Sequence, residues 1–389
     1  MNSLLAKAIV VLISFDGLKP AQVTPQTAPH LYQMQQEAVS VEAMEPSFPA
    51  STFINHASLI TGCSTEEHGI VSNHFIDPKK GEFHMNNDAF WQECEPLWAA
   101  AGREGIKNAS YVWPMTNESW NRVKPTYVFP IPKKDSDKFF EHFDDNAEWQ
   151  QLLAWLKLPE AERPQLILGY FPKVDAAGHQ YGPDSLKTLA VVKKYDQELG
   201  RFLSAAKKLD LDSKINFVIV SDHGMAVGKQ PVFTDEPLEA LKNKLGPTGW
   251  KMMPASGTLI NFYFKDSRKK ALAKTILEKF PFWHVYSKKE LSKRWHYQNP
   301  RSGDLVVVVD APLYMTSKNQ HPRHPTIGYH GYDPQVAEMQ AFFAASGPAF
   351  RPIHLQKIRN IDVAPTIAEI LGISFRGKHS GRPIREILK

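Results

Sequence analysis

Cysteine is nearly absent from this chain, with Cys63 and Cys94 its only two. They suffice for one disulfide but not for a thiolate-ligated structural zinc site, which takes several. Long apolar runs are missing as well. The best of them, residues 8–15, stops after eight positions at Asp16, far short of the roughly 20 residues that span a bilayer. Phe15-Asp16-Gly17 closes that run in place of a small-residue cleavage site, so it does not read as a secretory signal. Either the protein is cytosolic or an upstream signal has been removed. Charge of one sign never accumulates: 46 basic residues against 41 acidic give a formal charge of +5. Without a long single-sign block, no dedicated nucleic-acid surface is expected. There is no internal repeat and no low-complexity linker. What remains is 389 residues with 42% hydrophobic content, enough for one large α/β domain with insertions or for two domains.

Residues 8–15 are continuously apolar and β-branched, the pattern of a strand buried on both faces in a parallel sheet. Further strands are expected at 110–113, 165–171, 215–220 and 341–345. Helices are expected at 28–37, 96–103, 147–158, 185–209 and 362–371. The tryptophans of the 147–158 helix belong to its apolar side and read as core. Between 229 and 328 the texture changes to short strands at 259–264, 284–286 and 305–309 and a helix at 267–280. This reads as a small α+β subdomain inserted into a single catalytic domain of residues 1–389.

The residues that can do chemistry fall where such a fold would gather them, beyond the carboxyl ends of strands. Asp16 ends the first strand, and Ser221-Asp222-His223-Gly224 ends the strand at 215–220. Asp175 and His179 stand four apart in a glycine-containing loop after the strand at 165–171, and His330 lies between glycine-flanked turns. The segment from Pro46 to Gly62 is extended by prolines and then helix-compatible, placing Thr52 at a helix N-terminus, where unpaired N–H groups favour an anion. Asn73 follows as a side-chain donor for a phosphoryl oxygen or a turn former. A single Asp-Gly or capping threonine is ordinary. Three aspartates, three histidines and a threonine hydroxyl on separate strand ends and loops supply six firm ligands, enough for two metal ions. Carboxylate and imidazole without thiolate suit zinc, with manganese or cobalt next.

In these motifs the sequence resembles the nucleotide pyrophosphatase/phosphodiesterase family of the alkaline phosphatase superfamily. The carrying segments are Phe15-Asp16-Gly17, Pro49-Ala50-Ser51-Thr52-Phe53 with Asn55-His56, Thr61-Gly62, His68-Gly69-Ile70 with Asn73, Asp175 to His179 with Gly182-Pro183, Ser221 to Met225, and His330-Gly331-Tyr332-Asp333. The resemblance implies an α/β fold with a mostly parallel central sheet flanked by helices. It also implies two Zn2+ per chain, one held by Asp175, His179 and His330, the other by Asp16, Asp222, His223 and the Thr52 oxygen. Thr52 would be the nucleophile of a covalent phospho-threonine mechanism, Asn73 would bind a phosphoryl oxygen, and Phe53 and Tyr170 would form an aromatic slot for a nucleobase. The partner implied is a small nucleotide or phosphodiester, with no stable nucleic-acid complex. Ile54 and Lys173-Val174 depart from the family pattern, which has proline and Glu-Pro there. Cys63-Ser64-Thr65-Glu66-Glu67 lacks the proline and arginine of the sulfatase branch. Phospholipid- or choline-directed diesterase, phosphonate hydrolase and silent metal-binding module are the alternative readings. Because relatives are commonly exported, a Cys63–Cys94 disulfide and a periplasmic or secreted location are expected. Contacts to a pyrophosphate tail are expected, if at all, from Lys133 and Lys134 or from the inserted subdomain.

Overall fold

A computed structural model describes residues 8–132, 143–211, 214–319 and 327–389. Its centre is an eight-stranded sheet. The strands in chain order are β1 (Ile9–Phe15), β2 (Val39–Glu45), β3 (Asn108–Tyr111), β4 (Tyr127–Phe129), β5 (Leu166–Phe171), β6 (Ile215–Val220), β7 (Phe343–Ser346) and β8 (Ile353–Arg359). They lie in the spatial order β8-β2-β7-β6-β1-β5-β3-β4, and only β7 among the described strands of this sheet runs antiparallel. β1 is buried at every position, as a strand apolar but for Ser14 and covered on both faces should be.

Two groups of helices provide that cover. Pro29–Glu37 and Asp145–Lys157 pack on the long helix Leu186–Lys207, while Thr52–Thr61 packs on Leu97–Arg103 and Val363–Leu371. Trp149 belongs to the core as expected, stacked on Phe171 with ring centroids 4.2 Å apart. The register of the sheet matters most for the site. Ser14 of β1 pairs with Tyr170 of β5 and with Val220 of β6, so all three strands run out in the same layer.

Residues between β6 and β7 build a second sheet, in which Trp250–Ala255, Leu259–Phe264, Leu305–Val308 and His284–Ser287 are antiparallel neighbours in that order. Its own helices include Asp235–Leu245 and Ser267–Leu277. This layer is bonded to the first. Trp295 stacks on Phe48 at 4.0 Å, and the Tyr297 hydroxyl donates to the Val71 carbonyl at 2.7 Å. The buried Arg301 guanidinium donates to Asp77 at 2.6 Å and to the carbonyls of Gly69 and Trp91 at 3.0 and 2.7 Å.

Three differences from the sequence reading have physical reasons. The strand expected at 110–113 is displaced to Asn108–Tyr111, because Val112 takes a positive φ of 43° that extended backbone does not allow. Asp175 and His179 lie in a helix, Lys173–Tyr181, rather than in a loop. β2 and β8, which carry glutamate, lysine and arginine among their apolar positions, were not legible as strands.

Cys63 and Cys94 are joined, closing a loop across a sequence separation of 31. Their replacement by serine is expected to cost about 3–4 kcal/mol from the entropy returned to the unfolded chain. Urea unfolding of the double variant measures this, and an unchanged midpoint would show that the bridge does not form.

Candidate active site

The site is assembled at the carboxyl ends of β1, β5 and β6. Asp16 follows β1 directly and is held by its own N–H, which donates to the Phe171 carbonyl at 3.0 Å. Gly17 then turns with φ +72°, and a side chain there would stand 3.0 Å from the Asp175 Cα. Glycine is required because the turn after β1 closes on the first turn of the Lys173–Tyr181 helix at this point. Its freed N–H donates to Asp222 Oδ1 at 3.1 Å. The i, i+4 spacing on the Lys173–Tyr181 helix puts Asp175 and His179 on one face, with 3.4 Å between a carboxylate oxygen and His179 Nε2.

Thr52 is the first residue of the Thr52–Thr61 helix, and the helix ends on Gly62 in the left-handed region at φ 72°. Thr52 Oγ lies 3.3 Å from His223 Nε2. The helix is fixed through His56, both to its own backbone and to β1. His56 Nδ1 donates to the Thr52 carbonyl at 2.8 Å, and His56 Nε2 accepts from Ser14 Oγ at 2.9 Å.

Each of the three site imidazoles spends Nδ1 on a main-chain carbonyl. His223 reaches Gly224 at 2.8 Å, His179 reaches Gly328 at 2.8 Å, and His330 reaches Ala50 at 3.1 Å. A carbonyl only accepts, so Nδ1 carries the hydrogen and Nε2 is left with its lone pair. The Nε2 atoms of His179 and His330 are 3.1 Å apart. His223 Nε2 is 3.1 Å from Asp222 Oδ2 and 3.5 Å from Asp16 Oδ1. The carboxylates follow the same rule: Asp16 Oδ1, Asp222 Oδ2 and Asp175 Oδ1 are buried atoms without a hydrogen-bond partner.

Burial, and then the charges of Asp222 and Asp175, push the Asp16 carboxyl well above its ordinary range, and burial raises Asp222 to about 8. Burial drives His223 down to about 3 and His330 well below its usual value. Lone pairs and carboxyl groups thus face one another beside a cavity whose lining, among the described residues, holds no lysine or arginine. Cations fit this donor set. Asp16, Asp222 and His223 form one group and Asp175, His179 and His330 the other, each with ligand atoms within 4.8 Å of one another.

Asp16, Asp175, His179 and His330 open onto a cavity of about 360 Å³, behind which Asp222 and His223 are fully buried. Thr52, Phe53, Asn73, Tyr170, Asp175, His179 and His330 all line it. Asn73 Oδ1 accepts the Phe53 N–H at 3.2 Å, which leaves its amide hydrogens for a ligand. Phe53 and Tyr170 do not offer open ring faces. They are 6% and 5% exposed, Phe53 meets Phe83 edge to face, and the Tyr170 hydroxyl is bonded to Asp16. Both rings line the cavity, but with little of either face exposed.

His74, Met85, Asn87 and Ser256 also line the cavity. Sequence reasoning passed over all four, for they lie in a short hairpin and in turns without a motif. Lys173, where the family pattern has glutamate, points elsewhere and donates to Asp145 at 2.7 Å. Lys133 and Lys134 lie outside the described residues. Among the described residues no helix is long and apolar enough to cross a membrane.

A family model described as type I phosphodiesterase / nucleotide pyrophosphatase matches residues 10–333. An uncharacterized pyrophosphatase/phosphodiesterase of Schizosaccharomyces pombe is 31% identical over 391 residues, covering 94% of this chain and 77% of its own length. The bis(5'-adenosyl)-triphosphatase enpp4 of Xenopus laevis is 32% identical over 372 residues, covering 94% of this chain and 78% of its own. Among solved structures, an inactive threonine-to-alanine variant of murine ectonucleotide pyrophosphatase / phosphodiesterase 5 in complex with AMP superposes with a TM-score of 0.85 at 25% identity. It covers 98% of this chain, which in turn covers all of it.

Metal-free protein is expected to take up two divalent ions per chain and to gain several degrees of unfolding temperature on doing so, since ions that bind only the folded state stabilise it. Asp175→Ala should retain one ion. Elemental analysis with thermal unfolding checks both, and an unfolding temperature indifferent to chelator would remove the metal assignment.

Proposed function

Because this chain belongs to the type I phosphodiesterase / nucleotide pyrophosphatase family, whose members are phosphodiester- and pyrophosphate-cleaving hydrolases, we propose that it hydrolyses nucleotide phosphodiester or phosphoanhydride bonds through a phospho-threonine intermediate. The observation that carries this reading is the placement of Thr52. Its hydroxyl stands at the start of a buried helix, 3.3 Å from His223 Nε2, on the rim of a cavity shared by two donor groups.

Zinc at the two groups would supply Lewis acidity toward the phosphoryl oxygens and lower the pKa of an attacking oxygen. The rest falls to the chain. Thr52 Oγ gives up its proton and attacks phosphorus, forming an Oγ–P bond as the bond from phosphorus to the leaving oxygen breaks, and the departing oxygen takes up the proton. Asn73 donates its amide hydrogens to a nonbridging oxygen, held in place by the Phe53 N–H on its other end. Water then adds to phosphorus, the Oγ–P bond breaks, and Thr52 recovers its hydroxyl. Asp16, Asp222 and His223 would hold the metal beside Thr52, and Asp175, His179 and His330 the metal on the leaving side.

Diesters are the expected class. A terminal monoester carries more charge on its nonbridging oxygens, and among the described residues lining the cavity none is lysine or arginine. A nucleotide substrate is supported by AMP in the murine relative. The Cys63–Cys94 bridge supports an oxidising, exported location. Residues 229–328 would be an inserted subdomain that brings Ser256 to the rim of the cavity.

Thr52→Ala is expected to keep its metal and lose turnover by about 10³-fold or more, the scale seen when a nucleophile is removed. Steady-state rates on a nucleoside 5'-aryl diester, a lysophospholipid and phosphonoacetate, with metal analysis of the same preparations, test both parts. Near wild-type turnover by the alanine variant would exclude the covalent route, and a lysophospholipid or phosphonoacetate hydrolysed faster than the nucleotide would exclude the substrate class.

A further inference from the structure

Tyr170 is fixed from three sides. Its backbone N–H donates to the buried Glu148 carboxyl at 2.8 Å, which pins the end of β5. His56 meets its ring edge to face, with centroids 4.9 Å apart and planes at 89°. His56 cannot swing aside, because both of its nitrogens are bonded, to Thr52 and to Ser14. The third contact is the hydroxyl, which reaches Asp16 Oδ2 at 2.5 Å. A phenol beside a carboxylate is the donor, since the carboxylate offers only acceptors.

We propose that Tyr170 is a positioning residue for Asp16: its hydroxyl occupies Oδ2 and so leaves Oδ1 as the one oxygen presented to a cation shared with Asp222 and His223. Oδ1 is buried, has no hydrogen-bond partner and lies 3.5 Å from His223 Nε2. Asp222 is arranged in the same way, with Oδ1 taken by the Gly17 N–H and Oδ2 left open. The two carboxylates are thereby made single-oxygen ligands by groups outside the ligand set. The Gly17 donor is main chain and comes with the turn, whereas the Tyr170 donor is a side chain that a stacking wall would not need. A ring used only for stacking could be phenylalanine and would show a face to the cavity. This one is 5% exposed.

The proposal rests on reading Asp16, Asp222 and His223 as a metal site, and the test separates the two. Wild-type, Tyr170→Phe and Tyr170→Ala proteins are stripped of metal and titrated with Zn2+ against a chelating indicator. Their kinetics are then measured on a nucleoside 5'-aryl diester and on a small methyl aryl diester. The phenylalanine variant keeps the ring and its contact with His56. It is expected to bind one of two zinc ions 10- to 100-fold more weakly, about the usual effect of removing a hydrogen-bond partner from a metal ligand. At limiting zinc both diesters should lose kcat by the same factor, with KM for the nucleotide unchanged and activity recovered at high zinc. Zinc binding by Tyr170→Phe equal to wild type would overturn the proposal, as would a loss confined to the nucleotide substrate, which is the signature of stacking. Wild-type protein that takes up no zinc would overturn the metal reading itself, before any variant is considered.

Discussion

The site is built around one electrostatic problem: three carboxyl groups and three imidazole lone pairs are turned toward the same small space, with no lysine or arginine among the described residues that line its cavity. Asp16, Asp222, His223 and His330 are buried almost completely. Burial alone disfavours a charged carboxylate, and like charges at close range add to the cost. Such a cluster is relieved by protonation of its carboxyls, which burial favours, or by cations from outside the polypeptide. Pinning every Nδ1 to a carbonyl makes the constraint stricter, because it removes the freedom of each ring to turn its lone pair away.

Holding that cluster requires a rigid and unusually close convergence of backbone. The common register of β1, β5 and β6 brings the strand ends level. Glycine then permits contacts that a β-carbon would block: Gly17 against Asp175, and Gly328 against the Gly178 carbonyl, where a side chain would fall within 2.4 Å. The second layer matters for the same reason. Arg301 is buried with its guanidinium bonded to Asp77 and to two carbonyls of the segment that follows the Thr52–Thr61 helix. Removing it would leave Asp77 Oδ2 and two buried carbonyls without their donor, a larger penalty than the net worth of the bonds themselves. The walls of the cavity are thus tied across the chain rather than supported only by their neighbours in sequence.

The ligand residues were legible because they sit beside strong local signals. β1 and β6 are mostly apolar runs, interrupted only by Ser14 and Asn216, and an aspartate just beyond the end of such a run is conspicuous. Asp175 and His179 announced themselves by spacing, although the backbone that carries them is helical. The supporting shell was harder to read. That Ser14, inside a strand, meets His56, inside a helix, depends on a packing over 42 residues of separation that no local pattern encodes. Ser256 reaches the cavity from a turn between two strands of the second sheet, at φ +51°, and nothing in Pro254-Ala255-Ser256-Gly257 marks it as more than a turn.

Tyr170 shows why a residue's type and its place near a site do not settle its task. An aromatic ring five positions before a ligand reads equally as a wall for a base or as core, and the two readings differ only in where the polar end goes. Here strand alternation decides. Phe15 and Phe171 pair at the end of β1 and β5 and pack on Trp149 and Tyr195, so Ser14 and Tyr170 must point to the opposite face, toward His56 and Asp16. The departure at Lys173-Val174 is harmless by the same logic. Lys173 follows β5 on the side of Asp145 and the Phe143 carbonyl, both of which it bonds, and Val174 is buried in the core. Neither reaches the cavity, so the site retains its ligands while its outer neighbours change.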